Sequence, residues 1–119
     1  MKILIIDDSN MSRQLFKKAL GEEHEYIEVA DGMSGLERYF LEKPDLVVLD
    51  LTMPGMDGME VLNQLKKIDP NVRVIVGTAD VQDASRLEAE KLGAAGFVLK
   101  PFTPEDVKQA VNEAMSKEG

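Results

Sequence analysis

The sequence predicts an α/β domain in which a parallel sheet carries helices on both faces. Three observations predict it. Short branched apolar runs recur at ILII (3–6), LVVL (46–49), VRVIV (72–76) and GFVL (96–99), as strands buried on both faces require. Segments with helical spacing lie between these runs, and regular alternation of the two patterns argues for a parallel sheet. At 119 residues and 44% hydrophobic composition, the chain is sized for one domain with a real core.

The elements follow in order. After ILII, Met11, Leu15 and Ala19 recur at helical spacing, with Ser9 as potential N-cap and Gly21 as stop signal. YIEVA (26–30) alternates and suits a strand nearer an edge. Gly35, Leu36, Tyr39 and Phe40 mark a second helix, closed before Pro44. LVVL precedes a third helix on Val61, Leu62, Leu65 and Ile68. After VRVIV come Ala84, Leu87, Lys91 and Leu92, with Gly93 at the helix end. GFVL leads into the best-signalled helix. Thr103 is its N-cap, Pro104 its first position, and Glu105 and Asp106 lie in its first turn. Its apolar stripe is Val107, Ala110, Val111, Ala114 and Met115.

Composition excludes several classes. Cysteine is absent, so disulfides and thiolate metal sites are ruled out, and a reducing cytoplasm is the expected location. No apolar run approaches the roughly 20 residues of a membrane helix. MKILIID lacks the long apolar stretch and cleavage site of a signal peptide. The net charge of −8 disfavours direct nucleic-acid binding. No internal repeat or linker interrupts residues 1–119, and no attached output domain is expected.

In a parallel sheet the strand C-termini gather at one edge, where open α/β folds place ligands. The first strand ends at Asp7-Asp8, the third at Asp50, the fourth at Gly77-Thr78-Ala79 and the fifth at Lys100-Pro101. Crowded carboxylates repel, and a hard divalent cation such as Mg²⁺ relieves them. One carboxylate could instead attack phosphorus and form an aspartyl phosphate, with developing charge neutralised by the cation. Lys100 would then pair with one phosphoryl oxygen and Thr78 donate to another. Singly, each residue has a plainer role: Asp8 or Thr78 as helix caps, Asp7 as a solvated acid, Lys100 on the surface. Their joint placement after four strands favours the site.

With IIDDS (5–9), DLTMPGMDG (50–58), GTA (77–79) and KPF (100–102) in this order, the whole chain resembles the receiver domains of two-component response regulators, the CheY-like family. The resemblance implies a doubly wound, flavodoxin-like (βα)5 fold with strand order 2-1-3-4-5. It implies that Asp50 accepts a phosphoryl group from a histidine kinase. It also implies that Asp7, Asp8, Asp50 and the backbone carbonyl of Thr52 hold Mg²⁺, and that Thr78 and Lys100 contact the phosphoryl group. Phe97 matches the switch aromatic, whose plainer reading is a core residue, and Pro101 a proline preceded by a cis peptide. The function implied is a phosphorylation-operated switch that assists its own phosphorylation and dephosphorylation and is not a metabolic enzyme. Its helix-four, strand-five and helix-five surface would regulate a downstream protein target or phosphatase, with chemotaxis one setting. A monomer is expected, with dimerisation on phosphorylation as an alternative.

The rival is a Mg²⁺-dependent phosphatase or phosphotransferase of the haloacid dehalogenase type, which wants a second acid two residues after its nucleophile. Thr52 stands there, and Asp80 stands two after Thr78. A nucleotide-cofactor binder would need a phosphate-cradling glycine loop, and no GxGxxG occurs. His24, the single histidine, is expected to be solvent-exposed, neither phosphodonor nor ligand. Met53, Met56 and Met59 are expected to pack the loop after the third strand, where Pro54 to Gly58 turn the chain.

Overall fold

The structure, a computed structural model, describes residues 1–53, 57–79 and 83–116, with the side chains of 83–85 left aside. Pro54, Met56 and Asp80 lie outside the described residues. Strands β1 (Lys2–Ile6), β2 (Glu25–Val29), β3 (Leu46–Asp50), β4 (Val74–Thr78) and β5 (Gly96–Leu99) alternate with five helices. These are α1 (Asn10–Leu20), α2 (Gly32–Glu42), α3 (Gly58–Ile68), α4 (Asp83–Lys91) and α5 (Pro104–Ser116). Every strand pair is parallel and the order is β2-β1-β3-β4-β5, the expected fold and strand order.

Successive strand side chains point to opposite faces, so one sheet feeds two cores. Ile3, Ile5, Leu46, Val48, Ile75 and Val98 pack with Phe16 and Ala19 of α1 and with Val107, Ala110, Val111 and Ala114 of α5. Leu4, Ile6, Val47, Leu49, Val74 and Val76 pack with Tyr39 of α2, with Val61, Leu62 and Leu65 of α3, and with Ala89 of α4. Burial on both faces explains the unbroken apolar runs of the central strands. Edge strand β2 buries only Ile27 fully, which explains its alternation.

Polar side chains fix the helix starts by accepting otherwise orphaned N–H groups. Ser9 accepts from the Ser12 N–H at 3.2 Å, Asp31 from Ser34 at 2.8 Å, and Thr103 from Asp106 at 3.3 Å. Gly21 ends α1 at φ +101°, where its N–H donates to the Lys17 carbonyl.

Several boundaries and faces differ from the sequence reading. β4 begins at Val74 rather than Val72 and includes Gly77 and Thr78, so Thr78 ends a strand instead of following one. β2 covers 25–29 rather than 26–30. Phe40 is exposed because the inward face of α2 is Gly32, Gly35 and Tyr39. A Cβ on Gly35 would come within 2.5 Å of Ile6 Cδ1, so the helix presses closest to the sheet there. Met11, Ile68 and Leu87 are also exposed, and α4 seats Ala89 instead of Leu87. His24 is half-buried rather than fully exposed: its side chain is 19% accessible, and the amino terminus of Met1 donates to Nδ1 at 3.1 Å.

On β2, Glu28 receives Lys17 Nζ at 2.8 Å and Arg13 Nε at 3.1 Å. The Lys17 hydrogen bond chiefly, with Arg13 assisting against partial burial, holds its carboxyl below the usual glutamate range. A carboxyl whose pKa is lower folded than unfolded stabilises the fold above its unfolded value, near 4.5, and loses that contribution as pH falls through the folded value. Thermal melts on a descending pH series should therefore show wild type losing its advantage over Glu28→Gln below that value. A constant gap across the acid range would contradict the pairing.

Candidate functional site

β1 and β3 are neighbours in the sheet centre, so their C-terminal ends bring Asp7 and Asp50 together. Asp50 pairs in register with Gly77, and Lys100 follows β5 on the other side of β4. Asp7, Asp50 and Thr78 are all buried, with accessibilities of 2%, 3% and 1%. Asp8, one residue beyond Asp7, is exposed.

Lys100 brings a cation to these acids. Its Nζ lies 2.8 Å from Asp7 Oδ2 and 3.2 Å from Asp50 Oδ2. Burial opposes its charge, but the hydrogen bond to Asp7 and the charges of Asp7 and Asp50 outweigh that and raise its pKa. It therefore stays an ammonium at neutral pH. Burial chiefly, together with the Asp50 charge, raises Asp7 above the ordinary aspartate range, against the hydrogen bonds from Lys100 and the Ser9 N–H. The Lys100 ammonium thus faces two buried carboxylates, Asp7 and Asp50.

Local structure aims each group. The Ser9 N–H donates to Asp7 Oδ1 at 2.9 Å. Asp50 Oδ1 accepts from both the N–H and the hydroxyl of Thr52, at 3.0 and 2.9 Å. The sequence gives no signal for that hydroxyl contact, since the resemblance points to the Thr52 carbonyl alone as a ligand. The Lys100 N–H donates to the Thr78 carbonyl at 2.9 Å, tying the end of β5 to that of β4. The Lys100-Pro101 peptide is cis.

Phe102 packs against this corner. Its ring lies 5.9 Å from Lys100 Nζ, and a Cβ on Gly77 would come within 3.0 Å of it. A glycine inside a buried strand marks such close approach, so Gly77 was the available signal for a contact that sequence reading passed over. Phe97 packs against the second of the two cores. It is half-buried on β5, with the Arg86 guanidinium 5.3 Å from its ring centre.

Asp7, Asp8 and Asp50 each offer an oxygen within 4.8 Å of the others, a group able to hold a metal ion. An all-oxygen donor set with one exposed, water-facing member fits Mg²⁺, which binds through few carboxylates and keeps waters.

Residues 3–112 match the response regulator receiver domain family. The chain belongs to that family. Receiver domains are signalling switches of two-component systems, which take phosphate from histidine kinases and act on downstream targets. This receiver domain is 38% identical over 114 residues to the chemotaxis protein CheY of Thermotoga maritima, covering 94% of this chain and 95% of that protein. It is 39% identical over 113 residues to sporulation initiation phosphotransferase F of Bacillus subtilis, covering 94% and 91%. Among solved structures, chemotaxis protein CheY4 of Vibrio cholerae superposes with a TM-score of 0.87 at 26% identity, covering 95% of this chain and 97% of that one. A CheY-like receiver domain protein of Methanospirillum hungatei gives 0.85 at 27%, covering 94% and 90%.

Proposed function

We propose that residues 1–119 form a single receiver domain operated by phosphorylation of Asp50. The observation that carries this reading is the engagement of both Asp50 oxygens at a buried strand end, Oδ1 by Thr52 and Oδ2 by Lys100. An Asp50 oxygen attacks the phosphorus of a histidine kinase's phosphohistidine. A P–O bond forms, the P–N bond breaks, and the imidazole leaves with the bonding electron pair. Lys100, already protonated, turns from Asp50 toward a phosphoryl oxygen while keeping Asp7. Thr78 donates its hydroxyl to another. Asp7, Asp8, Asp50 and the Thr52 carbonyl would hold Mg²⁺, which when bound supplies positive charge at the phosphoryl oxygens.

Phosphorylation adds about −1.5 to −2 charges and new acceptor oxygens at one point. Movement of Lys100 and Thr78 toward them pulls on the ends of β5 and β4, and Phe97 on β5 then changes its packing. Partners read the α4, β5 and α5 surface. On this reading the protein works in the cytoplasm, as a monomer that could pair on phosphorylation, without contacting nucleic acid or membrane. No described helix is long and apolar enough to cross a membrane. The chemotaxis relatives make a motor protein or phosphatase a reasonable target, and self-catalysed dephosphorylation resets the switch. The haloacid dehalogenase alternative loses ground because Thr52, where that chemistry wants an acid, donates to Asp50.

Incubation with acetyl phosphate and Mg²⁺ should add one phosphoryl group, and a chelator should prevent it. Amide chemical shifts over α4, β5 and α5 should move on labelling. Lys100→Ala should still label yet leave those shifts in place; a full wild-type response in that variant would contradict the role given to Lys100.

A further inference from the structure

Arg13, on α1, reaches back to the β1–α1 junction. Its Nη1 donates to the main-chain carbonyl of Asp7 at 2.6 Å, its Nε to Glu28 Oε1 at 3.1 Å, and its Nη2 to Asn10 Oδ1 at 3.3 Å. That carbonyl belongs to the peptide linking Asp7 to Asp8, so the guanidinium fixes the plane from which both carboxylates project. The other side of Asp7 is also held, because its N–H donates to the Val29 carbonyl at 3.1 Å. Glu28 pairs in register with Ile5 on β1, two residues before Asp7. The guanidinium side chain is only 16% accessible, and its planar fork engages two elements at once, which a lysine ammonium cannot reproduce.

We propose that Arg13, anchored by Glu28, is a positioning residue for the acidic pair: it sets the Asp7-Asp8 peptide and thereby the affinity of the site for Mg²⁺. The inference rests on the reading of Asp7 and Asp8 as metal ligands. Groups that orient metal ligands without touching the metal typically change affinity by roughly 10- to 100-fold. Arg13 should act in that range, and Glu28→Gln, which leaves Arg13 a weaker anchor, should act less.

Lys17 provides the control. It pairs with the same Glu28 at 2.8 Å but gives its charge to no Asp7 atom in the contacts described. Lys17→Ala therefore removes an α1–β2 ion pair without releasing the Asp7 carbonyl. The test is the Mg²⁺ dissociation constant by calorimetry and amide titration for wild type, Arg13→Ala, Arg13→Lys, Glu28→Gln and Lys17→Ala, with thermal melts alongside. The expected result is a roughly tenfold or greater weakening in Arg13→Ala, little recovery in Arg13→Lys, and wild-type affinity in Lys17→Ala. Phosphoryl uptake by Arg13→Ala should recover at saturating Mg²⁺. Equal affinity in Arg13→Ala and wild type, or equal weakening in Arg13→Ala and Lys17→Ala, would overturn the proposal. Should Arg13→Ala fail to fold, Glu28→Gln carries the comparison, and unchanged affinity there overturns it. Wild type that binds no Mg²⁺ would defeat the metal reading and this one together, whereas wild-type binding with an unaffected Arg13→Ala defeats only this one.

Discussion

Asp50→Asn is expected to abolish phosphoryl uptake, while wild type treated with acetyl phosphate and Mg²⁺ gains one phosphoryl group. The substitution keeps the shape of the side chain and an oxygen for the two Thr52 donors. It removes the anionic oxygen that would attack phosphorus. Asp50 is 3% accessible and stands beside buried Asp7 and 3.2 Å from Lys100 Nζ, so neutralising it relieves like-charge repulsion while giving up one ion-pair contact. The two effects oppose each other, so the variant should melt close to wild type, which separates lost chemistry from lost folding. Undiminished labelling would move the acceptor to another acid.

The largest stability effect is expected at Phe16→Ala, a loss of about 3–5 kcal/mol in line with deletion of buried aromatic rings. Phe16 is fully buried among Ile3, Ile5 and the apolar stripe of α5. Its ring meets that of Phe102 edge-to-face, with centres 5.9 Å apart and planes at 76°. Alanine forfeits the transfer energy, leaves a cavity and removes an aromatic pair worth about 0.5–1.5 kcal/mol beyond area. Against the 5–15 kcal/mol typical of a domain, that is roughly a fifth or more of its stability. Urea unfolding should show a lower midpoint at unchanged slope. A loss under about 1 kcal/mol would mean that the core closes over the gap. Phe102 loses its packing partner in this variant, and Lys100 lies over that ring, so the same change should also loosen the site.

The contrast between these two positions explains what the sequence made legible. Asp50 announces itself because an acid ends a run of buried apolar residues, and the parallel topology then carries Asp7, Asp8, Thr78 and Lys100 to the same edge. Nothing local marks Phe16, because its importance comes from α5 and Phe102, far along the chain. The start of β4 is not legible in the sequence for a related reason. VRVIV opens on an apolar Val72, yet Val72 is buried in a turn where its N–H donates to the Asp69 carbonyl. Gly77 looks like a strand breaker until the Phe102 ring is seen against it. Large apolar residues also misled the helix faces: Phe40 and Leu87 are exposed, whereas small Gly35 and Ala89 sit against the sheet. His24 was read as exposed since only the folded chain brings the amino terminus to its ring. Arg13 gives no local signal either, because its partners are a main-chain carbonyl and a residue on the edge strand.

The central claim is that Asp50 carries the phosphoryl group. It is tested most directly by reducing freshly phosphorylated protein with borohydride, which converts an aspartyl phosphate to homoserine, and locating the modified residue by peptide mass spectrometry. The account predicts homoserine at position 50 and unmodified aspartate at 7 and 8. Homoserine at Asp7 or Asp8, or a phosphoryl group that resists reduction because it sits on a hydroxyl, would contradict it.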